Sequence, residues 1–332
     1  MRKLLAGLVL AAPFAIGFLA PGAAVEPAPG EPVFRFSDPE ITESSGLVAR
    51  DGLVVTVNDS GDGNRIFTVD PATGDTVGTT RWPGEARDIE ALAPAGDGEV
   101  WVGDIGDNLG ARDHVEVARV PFGRGEREVD VPTYELVYPD GPHDAETLLA
   151  DPATGRLYVV AKEFIGRLYA APERLDPDGP NELTAVDQVL GIATDGSFHP
   201  DGRHLVLRNY GQAAVYTWPG LERVAQVDLP SQPQGEGLAI SETGEVLLSS
   251  EGEGAEVLRV ELPFEAPSAS PSASPSASPS DPSPAPAADG ERSEVRADDE
   301  RSLWPWALGG VAGIVIVGVL LRSLRPRGRA GD

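Results

Sequence analysis

The segment Asp144-Ala145-Glu146-Thr147-Leu148 has four relatives in the chain: Glu43-Ser44-Ser45-Gly46-Leu47, Asp88-Ile89-Glu90-Ala91-Leu92, Thr194-Asp195-Gly196-Ser197-Phe198 and Gln234-Gly235-Glu236-Gly237-Leu238. Each opens on polar or acidic residues and runs into one large apolar side chain. A turn glycine follows every copy, at Gly52, Gly98, Gly155, Gly202 and Gly244. Next comes a β-branched or aliphatic run: Leu53 to Val57, Glu99 to Val102, Arg156 to Val160, His204 to Leu207 and Glu245 to Leu248. A second strand-like run comes after each, at Arg65 to Val69, His114 to Val120, Arg167 to Ala170, Ala213 to Trp218 and Ala255 to Val260. The aligned apolar residues lie 45, 56, 50 and 40 positions apart, a spacing suited to propeller blades of four short strands.

The fold expected is therefore all-β, a five-bladed β-propeller over residues 33–264. Roughly 230 residues shared among five blades leaves about 46 each, an ordinary blade length. The alternative is six blades, which needs a further repeat inside the long 92–148 interval. Val33-Phe34-Arg35-Phe36 alternates apolar and charged residues, as a half-buried strand does. The fifth unit ends one strand short at Glu261-Leu262, so this N-terminal strand is expected to complete the last blade and close the ring.

Flanking segments place the propeller. Met1-Arg2-Lys3 and the apolar run to Ala20, with Gly22-Ala23-Ala24 behind it, read as a signal peptide over 1–24. Residues 25–32 form an N-terminal tail. Ser-Ala-Ser-Pro repeats and a charged stretch make 265–302 an extended, disordered stalk. Residues 303–321 are apolar and long enough for a transmembrane helix. Arg322, Arg325, Arg327 and Arg329 follow, and the positive-inside rule assigns the tail 322–332 to the cytoplasm. The expected arrangement is a monomeric, single-pass protein of the cell membrane with its propeller outside.

Composition narrows the chemistry. Asp and Glu number 53 against 26 Lys and Arg, for a net charge of −27, which argues against nucleic acid as a partner. Cysteine is absent, so disulfides, thiolate nucleophiles and thiolate metal sites are excluded. No serine nucleophile elbow, glycine-rich phosphate loop or zinc-binding His-Glu-x-x-His is present.

In an antiparallel meander, the start of strand one and the end of strand two lie at one end of the sheet. The repeated openings and the strand-two ends should therefore share one rim of the central channel. That rim would collect Glu43, Asp59, Asp88, Glu90, Asp104, Asp144, Glu146, Glu236 and Glu251 as candidate metal ligands. Carboxylates so crowded repel one another unless cations neutralise them. Hard oxygen donors favour Ca²⁺, with Mg²⁺ or Mn²⁺ behind it. Lys162 and Arg208 occupy equivalent strand ends and, with Glu163, are the candidate catalytic residues, the two cations being suited to a phosphate ester. Lys162 is one of only two lysines in the sequence, the other being Lys3 in the signal segment.

The acidic strand starts, Asn58-Asp59-Ser60-Gly61, Asp104-Ile105-Gly106-Asp107-Asn108, Lys162-Glu163 and Ser250-Glu251-Gly252 resemble the phytase-like β-propeller family, often described as having esterase-like activity. The resemblance covers residues 33–263. It implies calcium in the channel and hydrolysis of a phosphorylated small molecule by a metal-activated water. Two departures stand against it: phytases have six blades, and their Asp-Ala-Asp-Asp-Pro-Ala signature is not reproduced at Asp144-Ala145-Glu146. The competing expectation is a non-catalytic propeller with structural calcium that binds a cell-envelope ligand, polymer or partner protein.

Overall fold

Residues 29–59 and 61–263 are described by the structure, a computed structural model. The expected signal peptide, the stalk over 265–302, the apolar segment 303–321 and the basic tail lie outside the described residues.

Five sheets, each built on an antiparallel meander, form in succession, and among the described residues there is no helix. Strand β1 (Gly30–Arg35) comes first in the chain but belongs to the last sheet. Blade one contains β2 (Ser44–Arg50), β3 (Leu53–Asn58), β4 (Arg65–Val69) and β5 (Thr76–Arg81). Blade two follows with β6 (Ile89–Gly96), β7 (Glu99–Asp104) and β8 (Val115–Pro121). The chain then adds β9 (Gly125–Glu128) back onto β5 in parallel before β10 (Thr133–Val137) completes blade two beside β8. Blade three is β11 (Ala145–Ala150), β12 (Leu157–Ala161), β13 (Gly166–Ala170) and β15 (Thr184–Val189). Between its last two strands, β14 (Asn181–Glu182) extends blade two by pairing with β10. Blade four is β16 (Asp195–Phe198), β17 (His204–Arg208), β18 (Gln212–Thr217) and β19 (Arg223–Asp228). Blade five is β20 (Gly235–Ile240), β21 (Val246–Ser250) and β22 (Glu256–Val260), with β1 as its outer strand.

The ring thus has five blades, not six. The long interval that could have hidden a sixth is taken up by β9 and β10, one reinforcing blade one and the other finishing blade two. The N-terminal strand closes the ring as expected, although it starts at Gly30 rather than Val33 because Gly30 to Pro32 already pair with Val260 to Leu258. All five turn glycines adopt positive φ, between 66° and 87°, in the left-handed region where a Cβ is penalised.

Packing explains the repeat. The inner strands β2, β6, β11, β16 and β20 each contact the inner strands on either side. Five apolar clusters fill the gaps between successive blades, as where Leu148, Leu157 and Val159 of blade three meet Ala91, Val115 and Val117 of blade two. The large apolar residue of each opening, such as Leu47, Leu92 or Leu238, is buried in one of these seams. Full burial of such a side chain contributes about 1.5–3 kcal/mol. Close approach also constrains the inner ring: a Cβ at Gly46 would lie 2.5 Å from the Leu92 amide nitrogen. Among the described residues every strand and core cluster lies between Gly30 and Leu262, so fragment 29–263 carries its own hydrophobic core.

Candidate metal centre at the channel mouth

One backbone hydrogen bond, repeated around the ring, builds the mouth. Asp59 N donates to Glu43 O, Gly106 N to Asp88 O, Lys162 N to Asp144 O, Thr194 N to Arg208 O and Glu251 N to Gln234 O. Each bond ties the opening before an inner strand to the end of the strand beside it, so the two sets of residues share one end of the ring.

A second repeated device aims the side chains. The β2–β3, β6–β7, β11–β12 and β20–β21 ladders shift register at the third residue of the opening. Ser45, Glu90, Glu146 and Glu236 occupy these irregular positions. A β-bulge of this kind bends the strand and redirects one side chain. Blade four keeps a regular ladder, with Asp195 opposite Arg208.

Asp59, Asp88 and Glu90 each place a carboxylate oxygen within 4.8 Å of the others. Glu90 is buried, and Ser45 Oγ donates to its Oε2 at 3.1 Å. Burial, followed by the charges of Asp59, Glu146 and Asp88, pushes Glu90 up to about 10. Burial and the neighbouring Asp59, Asp144 and Asp104 raise Asp88 to about 6, against the pull of Arg112. Such carboxylates must hold protons or accept a cation.

Glu146 and Glu236 occupy the adjoining side with Lys162, whose ammonium pairs with Glu146 and lies 5.3 Å from the centre of the Tyr210 ring. One oxygen of each carboxylate, Glu146 Oε2 and Glu236 Oε2, is buried without a hydrogen-bond partner. Burial raises Glu146 to about 8 despite Lys162, with Glu236 and Asp144 adding to the effect. Burial also raises Glu236 to about 7, against Lys162 and Arg208. Lys162 is itself held above its ordinary value, since Glu146 and Tyr210 outweigh the burial that opposes its charge. Glu251 stands nearby, raised by burial and by Asp59 and Glu43, while Glu43 is exposed.

The other expected site residues lie elsewhere or are occupied. Asp104 Oδ2 accepts from Arg87 N and Oδ1 from Asp88 N, and the carboxylate pairs with Arg112 Nη1 at 2.6 Å, so it clamps the loop. Asp144 Oδ1 accepts from Asp107 N. Glu163 turns to His143 Nδ1 at 2.9 Å, joining a network with Asp140 and Tyr169. Arg208 lies beneath the rim, fully buried, its Nη1 donating to the carbonyls of Gly237 and Ser249. Burial lowers it to about 10, opposed by Glu236 and Asp195. Asp195 is buried too, with Oδ2 accepting from Leu47 N and Leu238 N, and so links blade four to blades one and five. Sequence reasoning passed over Arg112, which the Asp107 carboxylate positions by accepting from its main-chain amide at 2.9 Å. The pattern Asp107-x-x-x-x-Arg112 in a loop was the available signal.

A cavity of about 430 Å³ opens at the other end of the inner strands, between Arg50, Trp101, Arg119, Leu149, Phe198 and Glu242. It contains none of the rim carboxylates, and its charges are mixed. The mouth, by contrast, offers what a hard cation needs: converging carboxylates, two orphaned buried oxygens and no soft donor. Its residues fit calcium. The chain matches no protein-family model and no curated protein.

Proposed function

We propose that the propeller is a calcium-binding recognition domain, displayed outside the cell on its stalk and membrane anchor. Asp59, Asp88 and Glu90 would hold the ion, with the unpartnered oxygens of Glu146 and Glu236 as further donors. The observation that carries this reading is the convergence of three carboxylates on a half-buried spot, where burial and the neighbouring acidic charges have raised the proton affinity of Asp88 and Glu90. The resemblance to phytase-like propellers independently favours calcium. Recognition is preferred over catalysis because the cations that would bind a phosphate are engaged internally: Lys162 with Glu146, and Arg208 with buried carbonyls.

The test is thermal melting of fragment 29–263. Calcium at about a hundred times its Kd should stabilise the native state by about 2.7 kcal/mol. For a domain of this size that corresponds to a rise of roughly 5–10 °C. Glu90→Gln should leave the calcium-free melting temperature near wild type, because Glu90 is already neutral at pH 7, and should abolish most of the rise. An unchanged melting curve in millimolar calcium would sink the reading.

Hydrolysis of phosphate esters is the second reading, and the position of Lys162 in the same mouth favours it. Bound calcium would supply a water of lowered pKa. Lys162 would bind a phosphoryl oxygen after exchanging partners with Glu146, and Arg208 would act by positioning Glu236. Absence of turnover on phytate, nucleotides and aryl phosphates in calcium would end this reading and leave the first intact.

A further inference from the structure

The mouth is framed by apolar side chains that the metal centre does not use. The loops after the second strands of blades two, three and four carry Leu109, Phe164-Ile165 and Tyr210. Leu109 is 90% exposed and Phe164 94% exposed. The equivalent loops of blades one and five contain Gly61, Asp62 and Gly63, and Gly252, Glu253 and Gly254. Three consecutive blades therefore present apolar tips at the acidic end of the ring, and two do not.

These tips are held firmly. Asp107 accepts from the amides of Ala111 and Arg112 and, through its carbonyl, from Gly110, fixing the turn on which Leu109 stands. The Phe164 loop is pinned where Ile192 N donates to Glu163 O at 2.7 Å. Gly191 packs so closely against it that a Cβ would lie 2.0 Å from Phe164 O. Rigid loops that expose large apolar groups beside a functional mouth have the character of a contact surface.

The mouth also demonstrates which ligand chemistry it accepts. An ammonium already sits in it: Lys162 is bound between the Glu146 carboxylate and the face of Tyr210. The adjoining trio of Asp59, Asp88 and Glu90 offers carboxylates to a second cation, and buried Glu146 and Glu236 each keep an unpartnered oxygen. We propose that this end of the propeller docks a basic amphipathic polypeptide segment, one of whose lysine or arginine side chains enters the mouth while its apolar residues pack on Leu109, Phe164 and Ile165. The partner is cationic because the mouth is acidic, and amphipathic because the rim is apolar. The inference rests on reading the mouth as a cation site, and it makes calcium a competitor of the partner.

The probe is a fluorescently labelled fifteen-residue peptide of lysine and leucine in an amphipathic helical pattern, with an oligolysine of equal charge as reference. Anisotropy with fragment 29–263 should show the amphipathic peptide binding at least about tenfold more tightly than the oligolysine. The double variant Leu109→Ser/Phe164→Ser should reduce it to the oligolysine level without changing the calcium-dependent melt. Saturating calcium should weaken peptide binding at constant ionic strength. Equal affinity for both peptides, or insensitivity to the double variant, overturns the docking surface. Calcium binding that persists in that case leaves the metal reading standing; loss of both removes the two together.

Discussion

Blades one and two contribute one side of the channel mouth, blades three to five the other, and the two sides manage crowded carboxylates differently. On the first, Asp59, Asp88 and Glu90 converge, and the cation acting on Asp88 is Arg112, whose fork is already bonded to Asp104 and the Gly106 carbonyl. On the second, Lys162 is built in beside Glu146 and Glu236, with Arg208 buried beneath. The second side has an ammonium bonded directly to one of its carboxylates, whereas on the first, three carboxylates converge and Arg112 acts on Asp88 through its charge. A repeated fold has thus produced the same acidic bulge several times, and substitutions at the neighbouring strand ends decide whether each bulge is self-sufficient.

Removing the built-in cation should break the comparison most severely. Lys162→Met leaves Glu146 and Glu236 buried without their ammonium, at a cost of about 3 kcal/mol in the calcium-free protein. Melting of fragment 29–263 should fall by roughly 6–12 °C. Adding Glu146→Gln should recover most of that loss, as expected of groups coupled in a double-mutant cycle. A melting temperature within a degree of wild type would mean that the pair contributes nothing.

The pH response sharpens the contrast. Asp88, Glu236, Glu146 and Glu90 have folded-state values raised to about 6, 7, 8 and 10, so the native state binds more protons than the unfolded chain above pH 5. Stability contributed by these groups is therefore present at low pH and lost as pH rises through those values. Calcium-free protein should melt highest near pH 5 and progressively lower toward pH 8.5, whereas saturating calcium should flatten the slope. A calcium-free profile that rises over this range would contradict the assigned burial of the carboxylates.

Much of this arrangement was legible in the sequence. Leu47, Leu92, Leu148, Phe198 and Leu238 marked the inner strands, and five glycines marked the turns, because blade packing imposes both at every repeat. Strand β9, Gly-Glu-Arg-Glu, escaped notice since it is polar and only edges blade one. At the mouth, the acidic residues could be assigned to one rim but not to roles. The bulges that turn Glu90 and Glu146 are register shifts with no side-chain signature. Arg208 was expected at the rim with Lys162, yet its pairing opposite Asp195 carries it into the interior, where Gly235 leaves room for its guanidinium.

A smaller effect is expected at Glu163, which the structure separates from the two carboxylate groups. Glu163→Gln keeps a partner for His143 and should alter stability by less than about 0.5 kcal/mol. Its calcium response should match wild type in the same melting assay, and a lost response would place Glu163 among the ligands.

Direct calorimetric titration of calcium into fragment 29–263 tests the central claim. Saturable binding is predicted for the wild type, with Asp88→Asn and Glu90→Gln each weakening it at least about tenfold while Glu163→Gln leaves it unchanged. Saturable binding that survives both Asp88→Asn and Glu90→Gln, or no binding by the wild-type fragment at millimolar calcium, would contradict the account.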